Sequence, residues 1–369
     1  MVDEKDDVYR ALQEHMDTFP IRFPKREGRT EIRLLKRLFT PKEAQIATNL
    51  RFSPYPSETV DDIYVRLADI EITKQELAQI LEQMAKKGII SYHRDGDTKY
   101  FGNVPWILGI FEYQVDKLTP ELLADMEKYY NSPTLQKILS TGISQMRTIP
   151  IGQSIQREDS IAQYDNIRQL IEQSNGPFIV TNCVCRQLKD IAGEPCEATD
   201  RRELCIGVGK FTDAYLEFGW GREVSKEELL AILKENEDEG LVLQPSNSKE
   251  IEFVCSCCGC CCLGLESIKA APRPVDYFTT NYYAKADSEL CTGCGTCVER
   301  CQMDAATLVD GLVNINLDRC IGCGVCVANC PSDAIQLMKK DEHREPPDTF
   351  EELYSLIAQR RKELDEAEN

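Results

Sequence analysis

The spacing C-x2-C-x2-C-x3-C occurs twice near the end of this chain, as Cys291, Cys294, Cys297 and Cys301 and again as Cys320, Cys323, Cys326 and Cys330. Each cysteine of the second run lies 29 residues beyond its counterpart, and Asp304-Ala305 returns as Asp333-Ala334 at the same offset. The segment is therefore an internal duplication. Eight thiolates could hold zinc, but zinc sites favour cysteine pairs over runs of three with a distant fourth. Gly293, Gly295, Gly322 and Gly324 lie among the cysteines, where they let a loop fold tightly and aim backbone N–H groups at anionic sulfur.

A cubane cluster offers four iron corners, each wanting one thiolate. Three closely spaced cysteines on a wrapping loop reach three corners, and the fourth ligand comes from the other half of the fold. Over residues 284–340 the two runs closely resemble the dicluster bacterial ferredoxins. The resemblance implies two [4Fe–4S] clusters close enough to pass electrons between them. It assigns Cys291, Cys294, Cys297 and Cys330 to one cluster and Cys320, Cys323, Cys326 and Cys301 to the other. Gln302 departs from the pattern, standing where the first run would usually carry proline. Proline is not a ligand, so the clusters should survive the change.

The chain has 18 cysteines, none of them before Cys183. Disulfides are the bland reading of many cysteines, but they belong to oxidising compartments. The start, Met1-Val-Asp-Glu-Lys-Asp-Asp, is too acidic and polar for a secretory leader, so a cytoplasmic setting is expected. No apolar run approaches the ~20 residues of a membrane span. In such a chain, dense cysteine points to metal.

Ten cysteines lie outside the duplication: Cys183, Cys185, Cys196, Cys205, Cys255, Cys257, Cys258, Cys260, Cys261 and Cys262. They form a pool for a third metal site. A third [4Fe–4S] cluster is the leading expectation, with Arg186 to offset its negative charge. A zinc site is the alternative, since four thiolates suit zinc equally well. Unligated thiols, a redox dithiol at Cys257-Cys258 or Cys260-Cys261, and an unusual cluster in the 255–262 run stay open, and spacing does not say which four thiols bind. The C-x-C-R stretch at 183–186, two further cysteines and a CC-rich run before the duplication resemble ferredoxin-fused proteins of anaerobes over residues 178–340. That resemblance brings no established activity with it.

The fold class expected is α+β and multidomain. Residues 1–110 read as a winged-helix-like domain. Thr40-Pro41-Lys42-Glu43 and Thr73-Lys74-Gln75-Glu76 are capping boxes. Val60, Ile63, Tyr64 and Leu67, and then Leu77, Ile80, Leu81 and Met84, keep helical spacing, and Gly88 should end the second of these helices. A hairpin follows around Asp95-Gly96, with His93 expected to be exposed. The order resembles MarR-like regulator domains by pattern, without a diagnostic motif. Residues 111–175 read as a helical connector with its clearest stretches at 118–130 and 160–173. Residues 176–275 read as a cysteine-rich metal-binding domain, with a strand at Phe178–Thr181 and a helix capped by Ser225. Residues 280–341 read as the dicluster ferredoxin-like domain, and 342–369 as a charged, solvated helical tail. Gly207-Val-Gly209-Lys210 fails as a nucleotide loop because position 212 is threonine, so a tight turn is expected there.

Charge narrows the partners. Residues 1–110 hold 17 basic and 18 acidic side chains, so the net of −19 falls almost wholly on the remainder. Such a surface repels nucleic acid and suits redox proteins with basic docking patches. Residues 22–51 carry a local excess of +6 that could touch phosphate. Yet the candidate recognition helix presents Lys74, Gln75, Gln79, Glu82 and Gln83, and no arginine for guanine edges. Protein docking or a homodimer through the winged helix is therefore preferred over DNA. The function expected is an iron–sulfur electron-transfer protein or subunit of an oxidoreductase system, in an anaerobic setting. The alternatives are a redox-responsive transcription regulator and a small reductase centred on the 255–262 run.

Overall fold

The computed structural model describes residues 4–52, 58–130, 141–155 and 161–368, a mixture of helix and sheet consistent with the α+β class. The N-terminal region runs α1 (Glu4–Met16), α2 (Thr30–Leu38), α3 (Pro41–Ala47), α4 (Val60–Arg66) and α5 (Lys74–Lys87), then a hairpin of β1 (Ser91–Asp95) and β2 (Thr98–Gly102). Both capping boxes form, and Thr59 with Asp62 adds a third. Each satisfies helix N–H groups that would otherwise lack partners. In α5, Leu77, Leu81, Met84 and Ala85 face inward. Gly88 ends it at φ 74°, and a Cβ there would sit 2.7 Å from Tyr113. The hairpin turn is centred on Gly96-Asp97, with Asp95 paired to Thr98, one residue beyond the expected centre. His93 is not exposed. It is half-buried, with Nδ1 against the Asp213 carboxylate, because the hairpin packs on the middle region.

α6 (Pro120–Tyr129) and a helix at Ile167–Gln173 lie within the expected connector. The second helix starts at Ile167 under an Asn166 cap, not at 160, a position outside the described residues. Among the described residues between the helices, Met146 bridges to Ser246 and Ile149 to Leu243, so this stretch lies along the middle sheet. It covers a sheet edge that would otherwise present unpaired backbone groups. The buried Arg147 side chain binds the carbonyls of Ser248 at 2.8 Å and Tyr164 at 2.5 Å.

The middle sheet contains β3 (Phe178–Asn182), β4 (Glu203–Val208), β5 (Arg222–Val224), β6 (Val242–Pro245) and β7 (Phe253–Cys257), ordered β5-β3-β4-β7-β6 with every pair antiparallel. The helix Lys226–Asp238, capped by Ser225, lays Leu229 and Leu233 into its core. Gly207 lies within β4, where a Cβ would press on Ile179 at 2.9 Å, and Gly209 follows with φ 62°.

The last region pairs β8 (Tyr282–Ala286) with β11 (Ile335–Lys339) and β9 (Ala306–Val309) with β10 (Leu312–Ile315), around the short helices Thr296–Arg300 and Val325–Ala328. The duplication reappears in the backbone: Gly293 and Gly322, Gly295 and Gly324, Asp304 and Asp333 all take positive φ at matched positions. Among the described residues no helix is long and apolar enough to cross a membrane.

The tail is a helix, Phe350–Glu368, but not a wholly solvated one. Phe350, Leu353, Tyr354 and Ile357 are buried, and the Tyr354 ring lies 5.3 Å from that of Phe52. Its charges line the outer face, so composition alone suggested solvation. Leu353→Ala is expected to cost about 2–5 kcal/mol, read as a lower denaturant midpoint. Leu356→Ala, on the exposed side, should leave that midpoint nearly unchanged.

Candidate metal centres

The wrapping loops of the duplication are held by backbone crowding. A Cβ on Gly293 would meet the Gly311 carbonyl oxygen at 2.3 Å, and one on Gly322 would meet that of Tyr282 at 2.2 Å. The loops turn N–H groups toward sulfur: Gly293 and Val313 to Cys291 at 3.4 Å, Ala305 to Cys301 at 3.1 Å and Ala284 to Cys320 at 3.4 Å. A small cavity of about 20 Å³ is ringed by Cys320, Cys323 and Cys326 of the second run and by Cys301 of the first. Burial pushes the Cys323 thiol up to about 12 and raises Cys297, Cys320 and Cys326. Thiols so desolvated suit ligation by a cation better than free ionisation. Cys294 is exposed.

Gln302, which the sequence marked only as a departure, ties this region to the middle one. Its Oε1 accepts the Gly259 N–H at 2.7 Å, and its Nε2 donates to the Gly240 carbonyl at 3.2 Å. Proline could do neither. Gly259 itself is required, since a Cβ would lie 2.2 Å from the Gln302 carbonyl oxygen.

The ten remaining cysteines separate into two groups. Cys196, Cys258, Cys260 and Cys261 form a quartet whose sulfurs all lie within 4.8 Å of one another. The separations include 3.7 Å from Cys196 to Cys258, 3.9 Å from Cys196 to Cys260, 3.4 Å from Cys258 to Cys260 and 3.6 Å from Cys260 to Cys261. A tetrahedron with metal–sulfur bonds of ~2.3 Å has sulfur–sulfur edges of ~3.8 Å, so this quartet fits one tetrahedral ion. The corners of a cubane spread their thiolates further apart.

The other six thiols form a closed ring. Cys183 neighbours Cys185 and Cys205, Cys262 neighbours Cys185 and Cys257, and Cys255 neighbours Cys205 and Cys257. The sheet sets this up. Cys205 of β4 is paired with Cys255 of β7, and Cys255 and Cys257 project from the same strand face. Cys183 and Cys185 come from the start of the helix Val184–Ala192, and Cys262 precedes the helix Leu263–Lys269. Acidity alternates around the ring. The neighbouring thiols hold Cys183 and Cys262 well below the usual thiol range and Cys255 at about 6, and push Cys185, Cys205 and Cys257 up. All six line one cavity of about 90 Å³.

Arg186 lies between the groups, only 1% exposed. Nε donates to Cys196 Sγ at 3.3 Å, Nη2 to Cys258 Sγ at 3.2 Å and Nη1 to the Ser256 carbonyl at 3.1 Å. Among the described residues no carboxylate pairs with it. Burial works against its charge, but the Cys183, Cys258 and Cys196 sulfurs around it outweigh that and hold its proton more tightly than usual, while burial pushes the Cys258 thiol itself up. Sequence reasoning missed Glu112, a half-buried residue that lines the six-thiol cavity and whose carboxyl is raised by desolvation to about 8. No local pattern flagged it, because it reaches the cavity only through tertiary packing.

Residues 283–331 match the family model described as the 4Fe-4S dicluster domain. No curated protein and no solved structure matches the chain. The match supports at least one [4Fe–4S] cluster, and with the density of cysteine it points to an iron–sulfur electron-transfer role.

Proposed function

We propose that this chain is an iron–sulfur electron-transfer protein, or a subunit of an oxidoreductase system, that relays single electrons through two [4Fe–4S] clusters, and that its cysteine quartet holds zinc. The observation that carries the reading is the cavity where Cys301 of the first run meets Cys320, Cys323 and Cys326 of the second. That crossed set is what a duplicated dicluster fold needs. Cys291, Cys294, Cys297 and Cys330 are the matching set. When bound, each cluster supplies one-electron chemistry. The chain's own part is to donate N–H groups to Cys291, Cys301 and Cys320, to exclude water around Cys323 and Cys326, and thereby to set the potential. The exposed Cys294 edge is the natural approach for a redox partner, and the acidic surface favours basic patches on it.

The N-terminal region reads as a MarR-like winged helix that docks protein or a second copy of the chain. Its hairpin is engaged by the middle region, through Tyr92 against Phe218 at 5.2 Å and Arg94 N–H to Asp213 at 3.1 Å, so it is not free to lie along DNA.

In anaerobically purified full-length chain, about eight iron and eight sulfide are expected from this segment. Brown colour should bleach on dithionite reduction, with paramagnetic signals of reduced clusters. Cys301→Ala should perturb only the second set. A colourless, iron-free preparation would sink the reading, and a redox-dependent footprint on the chain's own genomic flanks would replace it with the regulator.

A further inference from the structure

We propose that the ring of Cys183, Cys185, Cys205, Cys255, Cys257 and Cys262 is a separate polynuclear iron–sulfur site, distinct from both the duplicated segment and the zinc quartet. The argument rests on how the thiols are disposed. All six line one cavity, and Cys205 and Cys255 face each other across the β4–β7 pair. Yet among the described residues the quartet is the one set of three or more ligand atoms lying within 4.8 Å of one another. The ring therefore offers no single-ion site as tight as the quartet's. A zinc ion needs thiolates gathered at ~3.8 Å edges around it, and a polynuclear zinc site needs such a gathering around each ion. In an iron–sulfur cluster, inorganic sulfide fills most of each iron's coordination sphere, so one or two protein thiolates per iron suffice. Six thiolates spread around a cavity suit that chemistry.

The surroundings agree. Phe111, Met146 and Phe278 wall the cavity with apolar surface, and Arg186 stands at its edge to offset anionic charge. Cys257 and Cys262 share one buried cluster with Met303 and Ile321, and Cys323 of the duplicated segment lies against the same cluster. The ring is thus within a side-chain layer of a ligand in the proposed relay, as an extension of the electron path would require.

The test compares the full-length chain with the double variant Cys185→Ala/Cys257→Ala, both purified anaerobically and assayed for iron, acid-labile sulfide and zinc, with Mössbauer spectra of each. The wild type is expected to carry iron and sulfide that the variant lacks, while zinc and the remaining iron signals persist. The difference between the two, not the total, is diagnostic, so the result stands apart from the fate of the duplicated segment. A variant that misfolds is replaced by the single change Cys205→Ser, which keeps a polar group at the pairing position in β4 and should alter the same subspectrum. Identical iron in wild type and variants overturns the proposal. So does a wild-type chain whose ring cysteines are recovered as disulfides after unreduced, metal-free digestion.

Discussion

Cys258→Ser is expected to abolish zinc binding and to lower the thermal midpoint of the middle region by more than about 10 °C. Three of the quartet's ligands, Cys258, Cys260 and Cys261, sit in the turn that leaves β7, and the fourth, Cys196, follows the helix Val184–Ala192. One ion held there would pin two segments that no strand pairing joins. Structural zinc contributes an apparent ~10–16 kcal/mol to folding in small zinc domains at neutral pH, comparable to the whole stability of an ordinary domain at ~5–15 kcal/mol. Even partial loss should be large. Serine keeps the volume but offers no thiolate to a metal, and it takes the Cys258 sulfur away from Arg186. Cys196→Ser removes the ligand from the other segment and should give the same zinc stoichiometry, near zero instead of one, by elemental analysis. Iron attributed to the duplicated segment should not change. Zinc retained at one per chain in both variants would show that the quartet is not the site.

The parts of this architecture written in local sequence were legible. Capping boxes at Thr40 and Thr73 depend on residues three apart, and they formed. The duplicated cysteine spacing is equally local, since three ligands of each set lie on one loop. The division of the ten middle cysteines was not legible, and strand register is the reason. Cys205 meets Cys255 only because β4 pairs with β7 in that alignment across fifty residues of chain. Had Phe253–Cys257 been read as a strand, the two-residue period would have put Cys255 and Cys257 on one face and set Cys258 onward apart in the turn. Gln302 was noted for what it was not. Its value lies in two hydrogen bonds to Gly259 and Gly240, partners more than forty residues away. The tail misled because an amphipathic helix with a narrow buried stripe has the composition of a solvated one.

Arg186→Gln should weaken zinc retention by about 10–100-fold, the scale on which residues just outside a metal's ligands act, and destabilise the fold by about 3–5 kcal/mol, the cost of breaking a buried charge arrangement from one side. The guanidinium contacts two quartet sulfurs and a carbonyl, and it also faces Cys183 of the ring. It is the buried cation that both thiol groups share. Glutamine can keep one hydrogen bond but carries no charge, so the thiolates repel one another unrelieved. Arg186→Lys restores the charge without the planar fork, and an ammonium cannot place donors on Cys196, Cys258 and the Ser256 carbonyl together. Lysine should therefore recover part of the stability while zinc still escapes faster than from the wild type. The measurement is the rate of zinc transfer to a chromogenic chelator, set beside denaturant melts of the three proteins. A merely space-filling arginine would show the melt change without the graded release rates. If the glutamine chain holds and releases zinc as the wild type does, the Arg186 charge contributes nothing to retention, and the electrostatic role assigned to it at the quartet fails.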